Sequence, residues 1–413
     1  MLGRLFLDFA FYYPLTMAWS WIFGAVNYYL RRERNSPTRT HPPELDEWPK
    51  ATLIVPCHNE GENVRETLAY LAEQDYPDFE IIAINDGSRD NTGAVLDELT
   101  TVYPRLRVLH FTKNQGKAMG LRMAALASNS EFLVCIDGDA LLDRYATRWL
   151  IWHLVTGPRV GAVTGNPRIR NRSSLLGRLQ VGEFSSIIGL IKRAQRTLGR
   201  IFTVSGVIAG FRRSALHQVG YWSTDMVTED IDISWRLQMD HWDLRYEPNA
   251  LCWILMPETL KGLWKQRLRW AQGGAEAARR YMRNLLIWRA RRMWPVLLEY
   301  VLSVVWAYIM VAVFVLGLLG LFVPMPHWLH VPGPFPTWYG AVLGSTCIFQ
   351  FMISMFIDRR YDEQASRQFL FIIWYPLAFW LLGMCTTVVA VPKAFMKRTG
   401  TRAVWESPDR GIR

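Results

Sequence analysis

The sequence predicts an α/β domain with a mixed, mostly parallel sheet, joined to an α-helical transmembrane region. Strand and helix patterns alternate between residues 51 and 140, and long apolar runs lie on both sides of the domain that begins there. Apolar residues make up 50% of the 413 residues and 19 are tryptophan, a composition more typical of membrane proteins than of soluble ones. The length suits one folded domain accompanied by membrane helices.

Composition also argues against a nucleic-acid-binding protein and against a fold held by zinc sites or disulfides. The net charge is +11, from 47 basic and 36 acidic residues, but no motif of a nucleic-acid-binding fold accompanies it. Basic residues beside membrane spans, together with a site for an anionic ligand, explain that sign better. The five cysteines are scattered without metal-ligand or disulfide spacing, so we interpret them as reduced packing residues.

An N-terminal membrane anchor is predicted within residues 1–34. Residues 9–29 are nearly uncharged, and Arg31, Arg32 and Arg34 follow them. About 20 apolar residues are enough to cross a bilayer, and the small-residue cleavage site of a signal peptide is absent. Because positively charged flanks stay in the cytoplasm, this cluster places the following domain on the cytoplasmic side.

Three further apolar runs predict transmembrane helices within residues 293–392. They cover residues 296–323, 337–357 and 369–391. The loop between the first two runs contains no Lys or Arg, which is typical of the outer side. The last run contains Pro376 and leaves two topologies open. If it spans the membrane, the basic tail of residues 393–413 lies outside. If it is re-entrant, the tail stays in the cytoplasm.

The alternating region predicts four strands separated by helices. The strands cover residues 51–56, 80–85, 106–111 and 132–136, and the helices between them cover residues 64–71, 95–102 and 117–127. Strands separated by helices favour a largely parallel sheet. Ligands of such sheets bind beyond the carboxyl ends of the strands.

Acidic residues follow two of these strands. Asp86 ends the second strand, and Asp137-Gly138-Asp139 follows the fourth. Glycine allows a tight turn, so both carboxylates can face one pocket. Mg²⁺ is commonly held by one or two carboxylates together with phosphate oxygens. The pattern therefore indicates a metal and phosphate site. The alternatives are a strand-ending turn with solvated acids and, at Asp86, a simple β-turn.

Lys117 opens the third helix directly after Gly116. The amides and the dipole at a helix N-terminus favour anions, so contact with a diphosphate is one interpretation of this lysine. The spacing of a Walker phosphate loop is absent. A solvated helix start is an equally supported interpretation.

Two strings further along the chain extend the pattern. Thr228-Glu229-Asp230 begins a predicted helix, where Asp230 is either a reactive carboxylate or a helix cap. Gln266-Arg267-Leu268-Arg269-Trp270 lies just before the membrane runs, where basic and apolar side chains intermix. That mixture fits an amphipathic helix at a membrane surface, so Trp270 is either an interfacial aromatic or a binding platform.

Five motifs in this order resemble those of the processive inverting family-2 glycosyltransferases, the group of the cellulose, chitin and hyaluronan synthases. The motifs are residues 55–60 (Val-Pro-Cys-His-Asn-Glu), 85–88 (Asn-Asp-Gly-Ser), 137–139, 228–230 and 266–270. The resemblance covers the chain from about Asn27 onward. It implies a GT-A-type nucleotide-sugar-binding domain over residues 49–292, facing the cytoplasm and ending in amphipathic interface helices. The single leading span departs from the family, for which we expect two.

The resemblance also implies a role for each motif. The residues implied to bind the donor, UDP-N-acetylglucosamine, are Pro56, Asn59, Glu60, Asp86, Lys117, Asp137 and Asp139. Asp139 and Asp137 are further implied to hold Mg²⁺ or Mn²⁺. Asp230 is the implied catalytic base, with Glu229 as its rival. Gln266, Arg269 and Trp270 are implied to hold the acceptor end of the polymer beside the diphosphate.

Within that family, residues 203–213 and 251–276 are most similar to enzymes that make β-1,6-linked poly-N-acetylglucosamine. The resemblance implies export of this polymer through a bacterial inner membrane into a biofilm matrix. Implied partners are membrane lipid, a small transmembrane subunit and, through that complex, cyclic di-GMP, but no nucleic acid. The alternatives are a chitin, hyaluronan or cellulose synthase, a transferase that charges a lipid carrier, and a non-catalytic transporter or scaffold.

Overall fold

A computed structural model of the chain describes residues 2–329, 331, 338–369, 375–398 and 400–403. Residues 399 and 404–413, about half of the predicted basic tail, lie outside the described residues. So do residues 370–374 of the last apolar run and most of the second half of the predicted outer loop.

The described chain contains an eight-stranded mixed sheet in the order β3-β2-β1-β4-β7-β6-β8-β5. Its strands are β1 (Ala51–Cys57), β2 (Phe79–Asp86), β3 (Leu106–Phe111), β4 (Phe132–Ile136), β5 (Leu141–Leu142), β6 (Val160–Ile169), β7 (Ile208–Arg212) and β8 (Asp243–Ile254). Four neighbouring pairs are parallel, β1-β2, β1-β4, β2-β3 and β6-β8. The other three are antiparallel. The predicted mixed, mostly parallel sheet is confirmed.

Helices surround this sheet and follow it. They are α1 (Leu2–Tyr28), α2 (Val64–Ala72), α3 (Thr92–Val102), α4 (Lys117–Ala127), α5 (Ala146–Thr156), α6 (Leu175–Glu183), α7 (Ile191–Leu198), α8 (Arg213–Gln218), α9 (Glu229–Met239), α10 (Leu260–Leu285), α11 (Trp294–Leu319), α12 (Trp338–Asp358) and α13 (Tyr375–Met396). Two π-helical segments (Tyr29–Glu33 and Phe184–Leu190) and two 3₁₀ turns (Trp288–Met293 and Ala365–Gln368) extend them.

The central strands are buried on both faces, and this burial fixes where they end. In β1, Leu53 and Val55 pack into one cluster with Val64 and Leu68 of α2, whereas Ile54 packs into another cluster with α4. Alternate residues of a strand point to opposite faces, so a strand covered on both sides is apolar throughout. Each fully buried aliphatic side chain contributes about 1.5–3 kcal/mol. The tightly packed strands therefore hold in place the polar residues that directly follow them.

A third cluster joins the sheet domain to the first C-terminal helix. Trp235 of α9, Tyr281 of α10 and Val296 of α11 pack together in it. Among the described residues, three helices are long and apolar enough to cross a membrane, over Trp288–Leu319, Trp338–Asp358 and Ala378–Met396. Helix α1 is less apolar on average than these three and packs against α7, α11 and α12.

The start of the tail returns to the sheet domain. The Lys397 ammonium donates to the Asp225 carbonyl oxygen over 2.7 Å and lies 3.0 Å from a Glu276 carboxylate oxygen. The Ala403 amide donates to the Thr224 carbonyl over 3.0 Å. The described start of the tail therefore packs against the sheet domain.

Candidate active site

The strand ends β1, β2 and β4 meet at one edge of the sheet. Pro56 lies beside Ile84 in the β1–β2 register, and β4 flanks β1 on its other side. A Cβ atom built on Gly138 would lie 3.0 Å from the Pro56 carbonyl oxygen and 3.1 Å from the Cys57 sulfur. Any other residue here would require the end of β1 to shift by a few tenths of an ångström. This close approach brings the Asp137-Gly138-Asp139 turn against the end of β1.

Asp86 organises the loop that leads into α4. Its side chain is fully buried, and its two carboxylate oxygens accept the Gln115 amide over 2.6 Å and the Gly116 amide over 2.8 Å. Burial raises the pKa of Asp86, and these two amide bonds oppose that rise. The predicted donor-site carboxylate thus shapes the backbone immediately before Lys117.

Asn59 and Glu60 connect the β1 end to the β2 end. Asn59 has a positive φ of 55°, a conformation that Asn tolerates better than most residues. Its side-chain oxygen accepts the Arg89 amide over 2.9 Å. Glu60 is buried, its amide donates to the Thr92 hydroxyl over 2.8 Å, and its carboxylate accepts from Asn63 over 3.0 Å. Both residues hold the loops that line the edge.

The Lys117 side chain bridges two acidic motifs that lie far apart in sequence. Its Nζ lies 2.5 Å from Asp137 Oδ1 and 3.2 Å from Glu229 Oε1, and it donates to the Gly206 carbonyl over 2.9 Å. Burial alone would lower the pKa of this lysine, but Asp137 and Glu229 outweigh that effect and raise it. The interpretation of Lys117 as a solvated helix start is therefore wrong for this structure.

The carboxylate pair at the end of β4 fits a divalent cation. Loss of hydration, and then repulsion from Asp137, raise the pKa of Asp139 to about 7. A cation would relieve that repulsion. Among the described residues no group of three or more His, Cys, Asp or Glu side chains is placed to hold a metal. The protein would thus supply one or two carboxylates, and phosphate oxygens of a bound ligand would complete the coordination.

Glu229 and Asp230 lie in the first turn of α9, with Thr228 at the N-cap. Loss of hydration and repulsion from Glu229 raise the pKa of Asp230 to about 6, whereas Lys117 and Arg269 act against that rise. For Glu229, burial would raise the pKa, but Lys117 outweighs it and lowers the pKa. Neighbouring carboxylates with separated pKa values are typical of sites that transfer protons.

Thr228, and not Asp230, is the N-cap of α9, but the Asp230 carboxylate accepts one backbone amide of the first turn. One oxygen of that carboxylate accepts the Ile231 amide over 2.9 Å. A Cβ atom built on Gly206 would lie 3.1 Å from the other oxygen, Oδ2. The helix start therefore holds one oxygen of the carboxylate, and the second lies beside the Gly206 backbone.

The Gln266–Trp270 string lies on the first half of α10. Arg267, which the sequence left without a role, has its Nη2 2.7 Å from Glu183 Oε1 and its guanidinium carbon 4.2 Å from the centre of the Trp270 ring. It also donates to the Gln266 side-chain oxygen over 2.7 Å. Arg269 is exposed, yet its charge acts on both carboxylates at the start of α9. The helical i, i+3 spacing of Arg267 and Trp270 is the signal that could have found this contact.

Lys192 is a second residue that sequence reasoning missed. It is buried on α7, and its Nζ donates to the Thr164 hydroxyl over 3.1 Å. That hydroxyl also accepts the Ser205 amide over 2.8 Å. Burial lowers the pKa of Lys192 to about 8, against the attraction of Asp230. An isolated lysine in a short helix carries no sequence signal for this position.

A mixed, mostly parallel sheet with acidic side chains gathered at the carboxyl ends of its strands is the architecture of a GT-A-type glycosyltransferase. The chain belongs to the glycosyltransferase-like family 2, whose model matches residues 49–273. It is 37% identical over 407 residues to a poly-beta-1,6-N-acetyl-D-glucosamine synthase of Staphylococcus epidermidis, covering 98% of both chains. The enzyme of the same name from Staphylococcus aureus (strain COL) is 38% identical over the same shares.

A solved structure agrees with this fold. A mannosyltransferase from Pyrobaculum calidifontis, in complex with GDP-Man and Mn²⁺, superposes with a TM-score of 0.66. The match covers 96% of this chain and 98% of that one at 20% sequence identity. The likeness extends beyond the sheet domain into the C-terminal helices.

Proposed function

We propose that this glycosyltransferase polymerises N-acetylglucosamine from UDP-N-acetylglucosamine into a β-1,6-linked chain and passes it through the bacterial inner membrane. The observation that carries the proposal is the Glu229–Asp230 pair, with separated pKa values, joined through Lys117 to Asp137. The identity of 37–38% over 98% of the chain to the staphylococcal synthases supports the sugar and the linkage.

In this proposal the donor lies along the carboxyl edge of the sheet. Pro56, Asn59, Glu60 and Asp86 shape the loops that receive the uridine end. A divalent cation, Mg²⁺ or Mn²⁺, would be held by Asp139 and Asp137 and would supply positive charge to the leaving diphosphate. Lys117, already 2.5 Å from Asp137, brings a second positive charge to the same place.

Asp230 is the proposed general base. An acceptor hydroxyl is a poor nucleophile near neutral pH, and a placed carboxylate that takes its proton accelerates attack by about 10²–10⁴-fold. Attack on the face opposite UDP converts the α-linked donor into a β-linkage. Glu229 is less suited to this role, because its contact with Lys117 lowers its pKa. One base suffices, since the charge on leaving UDP is stabilised by cations rather than by an acid.

The acceptor end of the polymer is proposed to rest on the α10 string. Arg267 holds the Trp270 ring in place through its guanidinium, 4.2 Å from the ring centre, and is itself fixed by Glu183. A held aromatic ring offers a sugar a flat apolar face on which it can slide after each addition. Gln266 and Arg269 lie on the same helix as Trp270, and the positive charge of Arg269 acts on the carboxylate pair.

The membrane topology proposed for this function is multi-pass, with the sheet domain on the cytoplasmic side of the inner membrane. Three helices with the length and hydropathy of spans support it, as does the packing of α1 against α11 and α12. A small transmembrane partner subunit, and regulation by cyclic di-GMP through the complex, are proposed on family resemblance.

The test measures UDP release and the linkage of the product. The full chain in membranes, with and without its partner subunit, is supplied in turn with UDP-N-acetylglucosamine, UDP-glucose and UDP-glucuronic acid. We expect turnover with UDP-N-acetylglucosamine, loss of it on chelation of divalent cations, and a product that a β-1,6-specific glycosidase digests. A product that resists this digestion would overturn the linkage, and absence of turnover with every donor would favour the transporter or scaffold alternative.

The pH dependence of the reaction follows from the base. Asp230 must be ionised to accept a proton, and its pKa is raised to about 6. It is therefore active above that pH and protonated below it. We expect kcat/KM to fall about tenfold per pH unit below pH 6, measured between pH 5 and 8.5 at saturating divalent cation so that Asp139 stays ionised. A rate that is constant down to pH 5 would contradict the assignment of Asp230.

A further inference from the structure

A cationic pocket, separate from the carboxylates of the candidate active site, lies where the sheet domain meets the first C-terminal helix. Its volume is about 290 Å³, and it is lined by His241, Arg289, Arg291 and Arg292. His241 lies in the turn between α9 and β8, with a positive φ of 68°. The three arginines lie in the 3₁₀ turn Trp288–Met293, which leads into α11. Arg289 Nε donates to His241 Nε2 over 3.3 Å and so joins the two sides.

Arg200, whose charge interacts with that of the pocket residue Arg292, is buried and incompletely hydrogen-bonded. Its side chain is 8% exposed, and its Nε has no hydrogen-bond partner among the described residues. Burial lowers the pKa of Arg200, and the nearby positive charges of Arg292, Arg196 and Arg159 lower it further. The arginines around Arg200 concentrate positive charge beyond what the local carboxylates neutralise.

The carboxylate that faces these arginines is that of Asp243, and three arginines share it. Its oxygens lie 3.0 Å from Arg196, 3.7 Å from Arg200 and 3.9 Å from Arg245. Within the described chain, the three arginines of the 3₁₀ turn make no ion pair with any carboxylate. The pocket therefore has guanidinium donors that are available to an anion.

The surroundings of the pocket indicate which anion. A candidate membrane span begins at Trp288, so the pocket lies at the first turns of a span. The neighbouring apolar side chains are exposed, with Leu286 at 64%, Ile287 at 59% and Trp288 at 68%. Exposed tryptophans beside arginines are typical of the level of lipid headgroups. Acidic headgroups attract juxtamembrane arginines, and guanidinium forks bind phosphate in a bidentate manner.

We propose that Arg289 and Arg292, with His241, form a binding site for the phosphate headgroup of an acidic phospholipid. The site lies beside the α9–α10–α11 cluster, whose first helix carries Asp230. A bound headgroup would hold the 3₁₀ turn against β8 and so anchor this side of the domain at the membrane surface. The inference does not depend on which sugar is transferred.

The test compares lipids retained by the full chain. The protein is equilibrated in mixed micelles with equal amounts of phosphatidylglycerol and phosphatidylcholine, and bound lipid is measured by native mass spectrometry. We expect preferential retention of phosphatidylglycerol, and a drop of roughly 10- to 30-fold in that preference for the double variant R289Q/R292Q. R289K/R292K should keep part of the preference, because the charge remains without the bidentate geometry.

The matched control is R122Q/R144Q, which removes two exposed arginines of the sheet domain and changes the net charge equally. Thermal unfolding of every variant shows whether it is folded. The proposal is overturned by wild-type protein that does not prefer phosphatidylglycerol, or by a control pair that loses the preference as far as R289Q/R292Q does. Displacement of the lipid by inorganic phosphate alone would assign the pocket to a soluble phosphate and reject the lipid.

Discussion

Replacement of Asp230 by asparagine should slow transfer of N-acetylglucosamine by about 10²–10⁴-fold while leaving donor binding nearly unchanged. The substitution keeps the size of the side chain and an oxygen that can accept the Ile231 amide, so the start of α9 should persist. It removes the carboxylate that would take the acceptor proton. The measurement is UDP release at saturating donor, together with the dissociation constant of UDP.

Glu229→Gln is the control that separates the two neighbouring carboxylates. Glu229 raises the pKa of Asp230, so its neutralisation should lower that pKa and move the acid limb of the rate profile to lower pH. It also removes one of the partners of Lys117, and we expect a weaker affinity for the donor. A deep loss of kcat in Glu229→Gln, with an active Asp230→Asn enzyme, would exchange the two assignments.

The sequence was sufficient for the parallel half of the sheet. β3 and β4 have the predicted bounds, and β1 and β2 are longer by one or two residues, because continuous apolar runs bounded by polar turns define buried strands. Strands β6, β7 and β8 were not predicted. β6 and β8 are parallel neighbours whose partners are about 80 residues apart along the chain, with β7 pairing between β6 and β4. Local periodicity does not specify such long-range partners.

The candidate site likewise contains some residues that the sequence could place together and others that it could not. Asp86, Asp137 and Asp139 could be placed together because parallel strands end at one edge. The ion pair between Lys117 and Glu229 could not be predicted from the sequence. The two residues are more than 100 positions apart, and they meet only because α4 and α9 pack on one face of the sheet. Lys192 was missed for the same reason: its relation to Thr164 exists only in the folded chain.

A second large effect is expected from Arg193, which lies at the centre of a buried ionic network. Its guanidinium Nε lies 2.7 Å from Glu33 Oε1, and its Nη1 lies 2.9 Å from Asp358 Oδ1. Arg168 lies 2.7 Å from the other Asp358 oxygen, and the Tyr361 hydroxyl donates to Glu33 over 2.9 Å. The network connects the end of the N-terminal helix, α7, β6 and the end of α12.

Arg193→Met should lower the free energy of unfolding by about 3–5 kcal/mol, because it leaves buried Glu33 without its guanidinium partner and Asp358 with only one. The measurement is thermal and denaturant unfolding of the full chain in detergent. Arg65→Met, at an exposed ion pair with Glu98, is the matched control and should change the free energy of unfolding little.

A double variant tests whether the loss comes from the contact between Arg193 and Glu33. Arg193→Met combined with Glu33→Gln should lose less free energy of unfolding than the sum of the two single losses, because each substitution removes the same contact. Additive losses would mean that the arginine stabilises the chain by packing alone. A loss below about 1 kcal/mol would show that water reaches the network and that the membrane helices are joined to the sheet domain by other contacts.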